Sequence, residues 1–113
     1  MMDDCPQIIG GSGFIGTSLS RQYLNNNQNF LVIDKNLPSN SEYNFIKVDI
    51  TDKRHFIKKR NQGPIINLAA EHRDDVTPKS LYYSTNVEGA KNVCDYATLN
   101  QCKKIIFLSL IHI

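Results

Sequence analysis

The chain has 113 residues and a formal net charge of +2, from 13 basic and 11 acidic side chains. That length allows one small domain, read here as a single unit over residues 1–113. At 41% hydrophobic and 21% charged the composition is that of an ordinary globular chain, and the weak charge points to neither nucleic acid nor a membrane surface as partner.

The elements alternate. Gln7 to Ile9 is a short apolar run that stops at Gly10. Phe14 to Leu24 reads as a helix, with Phe14, Ile15, Leu19 and Tyr23 near helical spacing, and the Asn25–Asn27 cluster ends it. Phe30 to Asp34 is a strand with an acid at its carboxyl end; a turn follows at Pro38 and Ser39, then a strand from Phe45 to Val48. Residues 49–52 form a loop, in which Thr51 or Asp52 caps a helix expected over 53–60. Gly63 and Pro64 break that helix, and Pro64 to Ala70 is the next strand. Thr77 and Pro78 start a long helix running to about Asn100, with Tyr83, Val87, Ala90, Cys94 and Ala97 as its apolar face. Lys104 to Leu108 is the last strand. Apolar strands alternating with helices imply an α/β fold, a doubly wound parallel sheet covered on both faces.

Other features narrow the class. The longest apolar stretch, 105–113, is far shorter than a bilayer span. Asp3 and Asp4 stand where a leader would carry apolar residues, so the expected compartment is the cytoplasm. Cys5, Cys94 and Cys102 form no CxxC pair and read as free thiols. His55, His72 and His112 lack metal-ligand spacing, and no metal is expected.

The motif that carries chemistry is GGSGFIG, residues 10 to 16. Gly10 permits a tight strand-to-helix turn, Gly13 lets backbone approach a pyrophosphate, and Gly16 lets the helix pack closely on the sheet. Phe14 and Ile15 then offer backbone N–H groups at the helix N-terminus. Asp34 lies 24 positions beyond Gly10, near the spacing of a ribose-binding acid. A carboxylate there accepts from ribose hydroxyls and repels a 2′-phosphate, which favours NAD over NADP; Lys35 beside it weakens that preference.

GGSGFIG, then VID (32–34), KVDITD (47–52), NLAA (67–70) and TNVEGAKNV (85–93) together resemble the extended short-chain dehydrogenase/reductase family, and within it the NAD-dependent epimerase/dehydratase group that acts on nucleotide sugars. The resemblance runs in order from about residue 7 to 109. It implies a Rossmann-like NAD-binding domain and further roles. Asp49 matches the acid that hydrogen-bonds the adenine ring, and Ile50 the apolar neighbour that packs on it. Leu68, Ala69 and Ala70 match the segment running along the nicotinamide ribose, and Asn86 a helix asparagine that supports the nicotinamide end. The charged loop Glu71–Asp75 falls near the substrate entry.

The resemblance also implies a Tyr-x-x-x-Lys pair, and here the sequence departs. Tyr43 and Lys47 fit the string but fall on or beside a strand, so the match is read as accidental and no catalytic residue is assigned. Ser109 matches the first of two expected serines, whereas Leu110 stands where the catalytic hydroxyl belongs and Ile111–Ile113 leave the pattern. The expectation is the NAD-binding portion of a nucleotide-sugar epimerase or dehydratase, catalytically incomplete and truncated or frameshifted. The last strand would then be an open apolar edge suited to self-association. The alternatives are a non-catalytic nucleotide-binding module, an inactive fragment, or a reductase of the same superfamily.

Overall fold

Short, mostly apolar strands of three or four residues, the central ones buried, assemble into a parallel sheet. The computed structural model describes residues 4–52, 61–69 and 84–108, with 84 and 85 described by backbone alone. The strands are β1 (Gln7–Ile9), β2 (Leu31–Asp34), β3 (Phe45–Lys47), β4 (Ile65–Asn67) and β5 (Ile105–Phe107). They lie in the order β3-β2-β1-β4-β5, and each neighbouring pair is parallel. Ile8 is in register with Val32 on one side and Ile66 on the other. The chain thus steps outward from β1 to β3, then returns to build on the opposite side of β1. This is the doubly wound order the alternation of elements implies.

Alternation along the strands separates two cores. Ile9, Leu31, Ile33 and Ile65 face Val93, Tyr96 and Ala97 of helix α2 (Gly89–Leu99). Ile8, Val32 and Phe30 face Leu19 and Tyr23 of helix α1 (Phe14–Asn25). Both helices end alike. Asn27 and Gln101 adopt positive φ, and the amides of Gln28 and Cys102 reach back to the carbonyls of Tyr23 and Ala97, at 2.9 and 2.8 Å. This closure consumes the carbonyls that a helix end leaves without partners.

Two helix faces differ from the expectation. On α1 only Leu19 and Tyr23 turn inward; Phe14 is 91% exposed, and Gly16 and Ser20 are the buried positions. Small residues let the helix approach the sheet, and a count of large apolar side chains passes over them. On α2 the buried set is Gly89, Asn92, Val93, Tyr96 and Ala97, while Val87 and Cys94 are exposed. Ala97 of the expected face is buried and Ala90 half-buried, but Asn92 and Tyr96, which find polar partners inside, are residues that apolar spacing alone does not select. Ser84–Glu88, just ahead of α2, also winds as a π-helical turn, which breaks the 3.6-residue register. Strand β4 is shorter than the run expected over 64–70. The helix expected over 53–60, the start of the long helix at Thr77, Tyr83, Glu71–Asp75 and Ser109–Ile113 lie outside the described residues.

At the amino ends of the strands, α2 is fastened by a buried polar pair. Gln7 is fully buried on β1, and its Nε2 donates to the carbonyls of Asn61 and Gly63 at 3.2 and 3.1 Å. The Tyr96 hydroxyl donates to Gln7 Oε1. Burial pushes the Tyr96 phenol pKa up, with the Cys102 and Cys5 thiols adding to the shift. A phenol raised in the fold contributes stability below its unfolded value and loses it as pH rises. Tyr96→Phe is expected to cost about 1–3 kcal/mol in urea unfolding at neutral pH, because Gln7 Oε1 loses its donor. Above about pH 10 the wild type should lose stability that Tyr96→Phe does not.

Candidate cofactor site

Every loop of interest leaves the carboxyl edge of the sheet. After Ile9 the chain turns at Gly10 with φ +80°, and a Cβ there would stand 2.7 Å from the backbone nitrogen of Ala69. Only glycine meets both demands. Gly13 is the N-cap of α1, extended and without a side-chain cap. A Cβ on Gly13 would meet only the Gly10 carbonyl, at 3.5 Å, so the face above the loop is open. Phe14 and Ile15 open the helix, where the first N–H groups have no acceptor within the helix and the dipole favours an anion.

At Gly16 a Cβ would come within 2.6 Å of the Gly11 carbonyl carbon, so its closest packing is on the backbone of its own loop. Gly11, outside the triplet, has no spare room either, since a Cβ would lie 2.9 Å from Val32 Cγ1.

The structure brings Asp34 to the glycine loop. Its Oδ2 accepts from the Ser12 amide at 3.0 Å, and its Oδ1 from the Asn36 amide at 2.9 Å. The Ser12 hydroxyl donates to the Asn36 carbonyl at 2.7 Å. Ser12 and Asn36 were not singled out from the sequence; the Asp-x-Asn spacing, which suits an Asx turn, was the available signal. Lys35 is exposed.

Beyond β3, Asp49 Oδ1 accepts from the Thr51 amide at 3.0 Å and the Thr51 hydroxyl at 2.6 Å. Ile50 is buried, and its carbonyl accepts from Asn92 Nδ2 at 2.7 Å. Beyond β4, the Leu68 amide donates to the Ile9 carbonyl at 2.7 Å and the Ala69 amide to Asn67 Oδ1 at 3.0 Å. Asn67 is thus another contributor that sequence reading passed over: a buried side chain that shapes the turn at Ala69. Ala70 lies outside the described residues. Asn86 is half-buried on the π-helical turn, three positions ahead of Gly89. Direct contacts therefore join the glycine loop, Asp34 and Ala69 into one set, while Ile50 is tied to α2 and Asp49 bonds within its own turn. Tyr43 and Lys47 bracket an extended segment; the Tyr43 ring packs edge-on to Phe30 at 5.1 Å, and Lys47 is exposed at the end of β3.

A family model described as the NAD dependent epimerase/dehydratase family matches residues 7–110. The chain belongs to this family. It is 36% identical to the N-acetyl-alpha-D-glucosaminyl-diphospho-ditrans,octacis-undecaprenol 4-epimerase of Escherichia coli O157:H7, over 96% of this chain and 33% of that protein. It is 31% identical to a dTDP-glucose 4,6-dehydratase of Haemophilus influenzae, over 88% of this chain and 36% of that protein. The chain spans about a third of the length of these relatives. Among solved structures it is similar to the Bordetella bronchiseptica enzyme WbmG in complex with NAD and UDP, with a TM-score of 0.74 and 25% identity, covering 94% of this chain and 37% of that one. The family is NAD-dependent, and the five-stranded sheet matches its Rossmann-like fold.

The glycine geometry separates two effects of an added methyl group. Gly16→Ala should lower stability by about 1–3 kcal/mol, because backbone blocks the new Cβ. Gly13→Ala should stay within about 0.5 kcal/mol of wild type, because its backbone is extended and the space is open. Urea unfolding of the two variants side by side makes the comparison.

Proposed function

We propose that this chain binds NAD at the carboxyl edge of its sheet, as the nucleotide-binding portion of a nucleotide-sugar epimerase or dehydratase. The observation that carries this reading is the Asp34 carboxylate held against the glycine loop by the Ser12 amide. An open, glycine-lined helix N-terminus and an acid at the end of the next strand are what a pyrophosphate and its neighbouring ribose require together.

Each residue then has a task. The Phe14 and Ile15 amides face the pyrophosphate over Gly10 and Gly13, and Gly16 holds α1 in place. Asp34 accepts from the ribose hydroxyls, with Lys35 beside it. Asp49 bonds the adenine amino group while Ile50 packs on the ring. Leu68, Ala69 and Ala70 run along the nicotinamide ribose, and Asn86 supports the nicotinamide end. NAD, when bound, supplies a reversible hydride acceptor for a sugar carbon. The names of the relatives, a 4-epimerase and 4,6-dehydratases, support a sugar diphosphate as substrate class and isomerase or dehydratase chemistry. The cytoplasm is the proposed compartment, supported by three cysteines that are free thiols.

Calorimetric titration tests the site. Wild type should bind NAD saturably and more tightly than NADP. Gly13→Val and Asp34→Ala should each weaken NAD binding at least about tenfold, near 1.4 kcal/mol. Gly13→Val should do so in a chain that still unfolds cooperatively, with a loss of stability of no more than about 1 kcal/mol at the N-cap. A folded wild-type chain that takes up no NAD would end this reading.

Self-association through β5 is proposed on a separate observation. Among the described strands β5 is an outer one, and Ile106, Phe107 and Leu108 are 45%, 50% and 41% exposed. An exposed apolar edge strand pairs readily with another chain. Sedimentation should show mass rising with concentration in wild type and a monomer in Ile106→Lys; a wild-type monomer throughout would dismiss the proposal.

A further inference from the structure

The turn after β3 is held from outside by α2. Strand β3 is an outer strand of the described sheet, and the Ile50 carbonyl, past its end, takes a donor from outside the sheet. The donor is Asn92 Nδ2, at 2.7 Å, from a side chain only 6% exposed. One helical turn earlier on the same face, Gly89 leaves the room that the Ile50 side chain occupies. A Cβ on Gly89 would stand 2.5 Å from Ile50 Cδ1. Inside the turn, the Asp49 carboxylate accepts from the Thr51 amide and hydroxyl, and the Asp52 amide donates to the Asp49 carbonyl at 3.0 Å. The internal bonds give the turn its shape. Asn92 and Gly89 give it its place relative to the sheet.

We propose that Asn92 is a positioning residue for the adenine end of the cofactor site, acting through the Ile50 carbonyl to aim the Asp49 carboxylate, with Gly89 providing the seat. This rests on the proposed adenine role of Asp49. The carboxylate itself makes the contact; Asn92 touches only the backbone beside it. Removing the amide donor leaves a buried carbonyl unpaired, and the turn shifts until water reaches it. The consequence falls on the base, at one polar group, and leaves the pyrophosphate and ribose contacts at β1 and β2 in place.

The test compares NAD with nicotinamide hypoxanthine dinucleotide, which carries a carbonyl where adenine carries its amino group. Dissociation constants are measured for wild type, Asn92→Leu and Gly89→Ala. Wild type should prefer NAD. Both variants should lose about tenfold in NAD affinity, the scale of one hydrogen bond, and bind the hypoxanthine analogue within about twofold of wild type. In the ligand-free chain, hydrogen exchange at the Thr51 and Asp52 amides should quicken in Asn92→Leu while that at Val32 and Ile33 stays unchanged. Equal losses for the two dinucleotides, no loss for NAD, or loosening of all amides alike would each overturn the assignment. If Asn92→Leu fails to fold, Gly89→Ala decides by the same criteria. A wild type that binds neither dinucleotide, or does not distinguish them, defeats the adenine reading itself and this inference with it. A wild type that prefers NAD, with variants that lose both ligands equally, defeats this inference alone.

Discussion

The close approach of two turns sets the layout of the whole carboxyl edge. β1 and β4 are neighbours in the sheet, yet the chain leaves them toward opposite sides. In parallel sheets of this order, ligands are held beyond the carboxyl ends of two such strands. Gly10 passes against the backbone of Ala69 at its positive φ, with no room for a side chain. From that turn Ser12 meets Asp34, Gly13 opens α1, and Gly16 settles on Gly11. A side chain at position 10 would push the loop off β4 and remove the Asp34 carboxylate from its donor at Ser12. Backbone shape at one residue therefore controls electrostatics several residues away.

Helix α2 shows how buried polar groups fix register. Near the amino ends of the strands the Tyr96 hydroxyl meets Gln7; toward the carboxyl ends Asn92 meets the Ile50 carbonyl. Between them Val93 and Ala97 supply apolar contact that is insensitive to direction. Each polar contact adds little net stability when made and costs more when left unmade. A helix that slides or rotates on the sheet forfeits both at once. Burial of Val93 and Ala97 holds α2 on the sheet, and the polar contacts decide where it stops, carrying Asn86 with it on the preceding turn.

These same contacts mark what a sequence conceals. The strands, the glycine loop and the acid at the end of β2 were legible because their signals are local: an apolar run, a spacing of glycines, an acid at a strand end. The Ser12–Asp34 bond, which no local signal announced, joins two of these features. The buried face of α2 was not legible. Asn92 and Tyr96 turn inward only because Ile50 and Gln7, at 42 and 89 residues' separation, present partners to them. The inward face of α1 was hidden for the opposite reason: Gly16 and Ser20 serve by being small, and hydropathy gives small residues no weight. The nearest neighbour of Gly16 is the Gly11 backbone, a contact that glycine spacing alone does not reveal.

The loop geometry also bears on the cost of taking up the proposed ligand. Asp34 already holds one backbone amide on each carboxylate oxygen. A carboxylate oxygen accommodates two acceptor directions, so ribose hydroxyls of the proposed ligand would add to these bonds without displacing them. The amides fix the rotamer in advance, and the Ser12 hydroxyl ties the loop after β2 to the glycine loop across the same site. Ordering of side chains and loops consumes part of the gross interaction energy in most associations. Here much of that ordering is complete in the free chain. In the proposed site the fixed carboxylate would also stand against any phosphate on the same ribose, so one arrangement would serve affinity for a dinucleotide with free hydroxyls and rejection of one that carries an extra phosphate there.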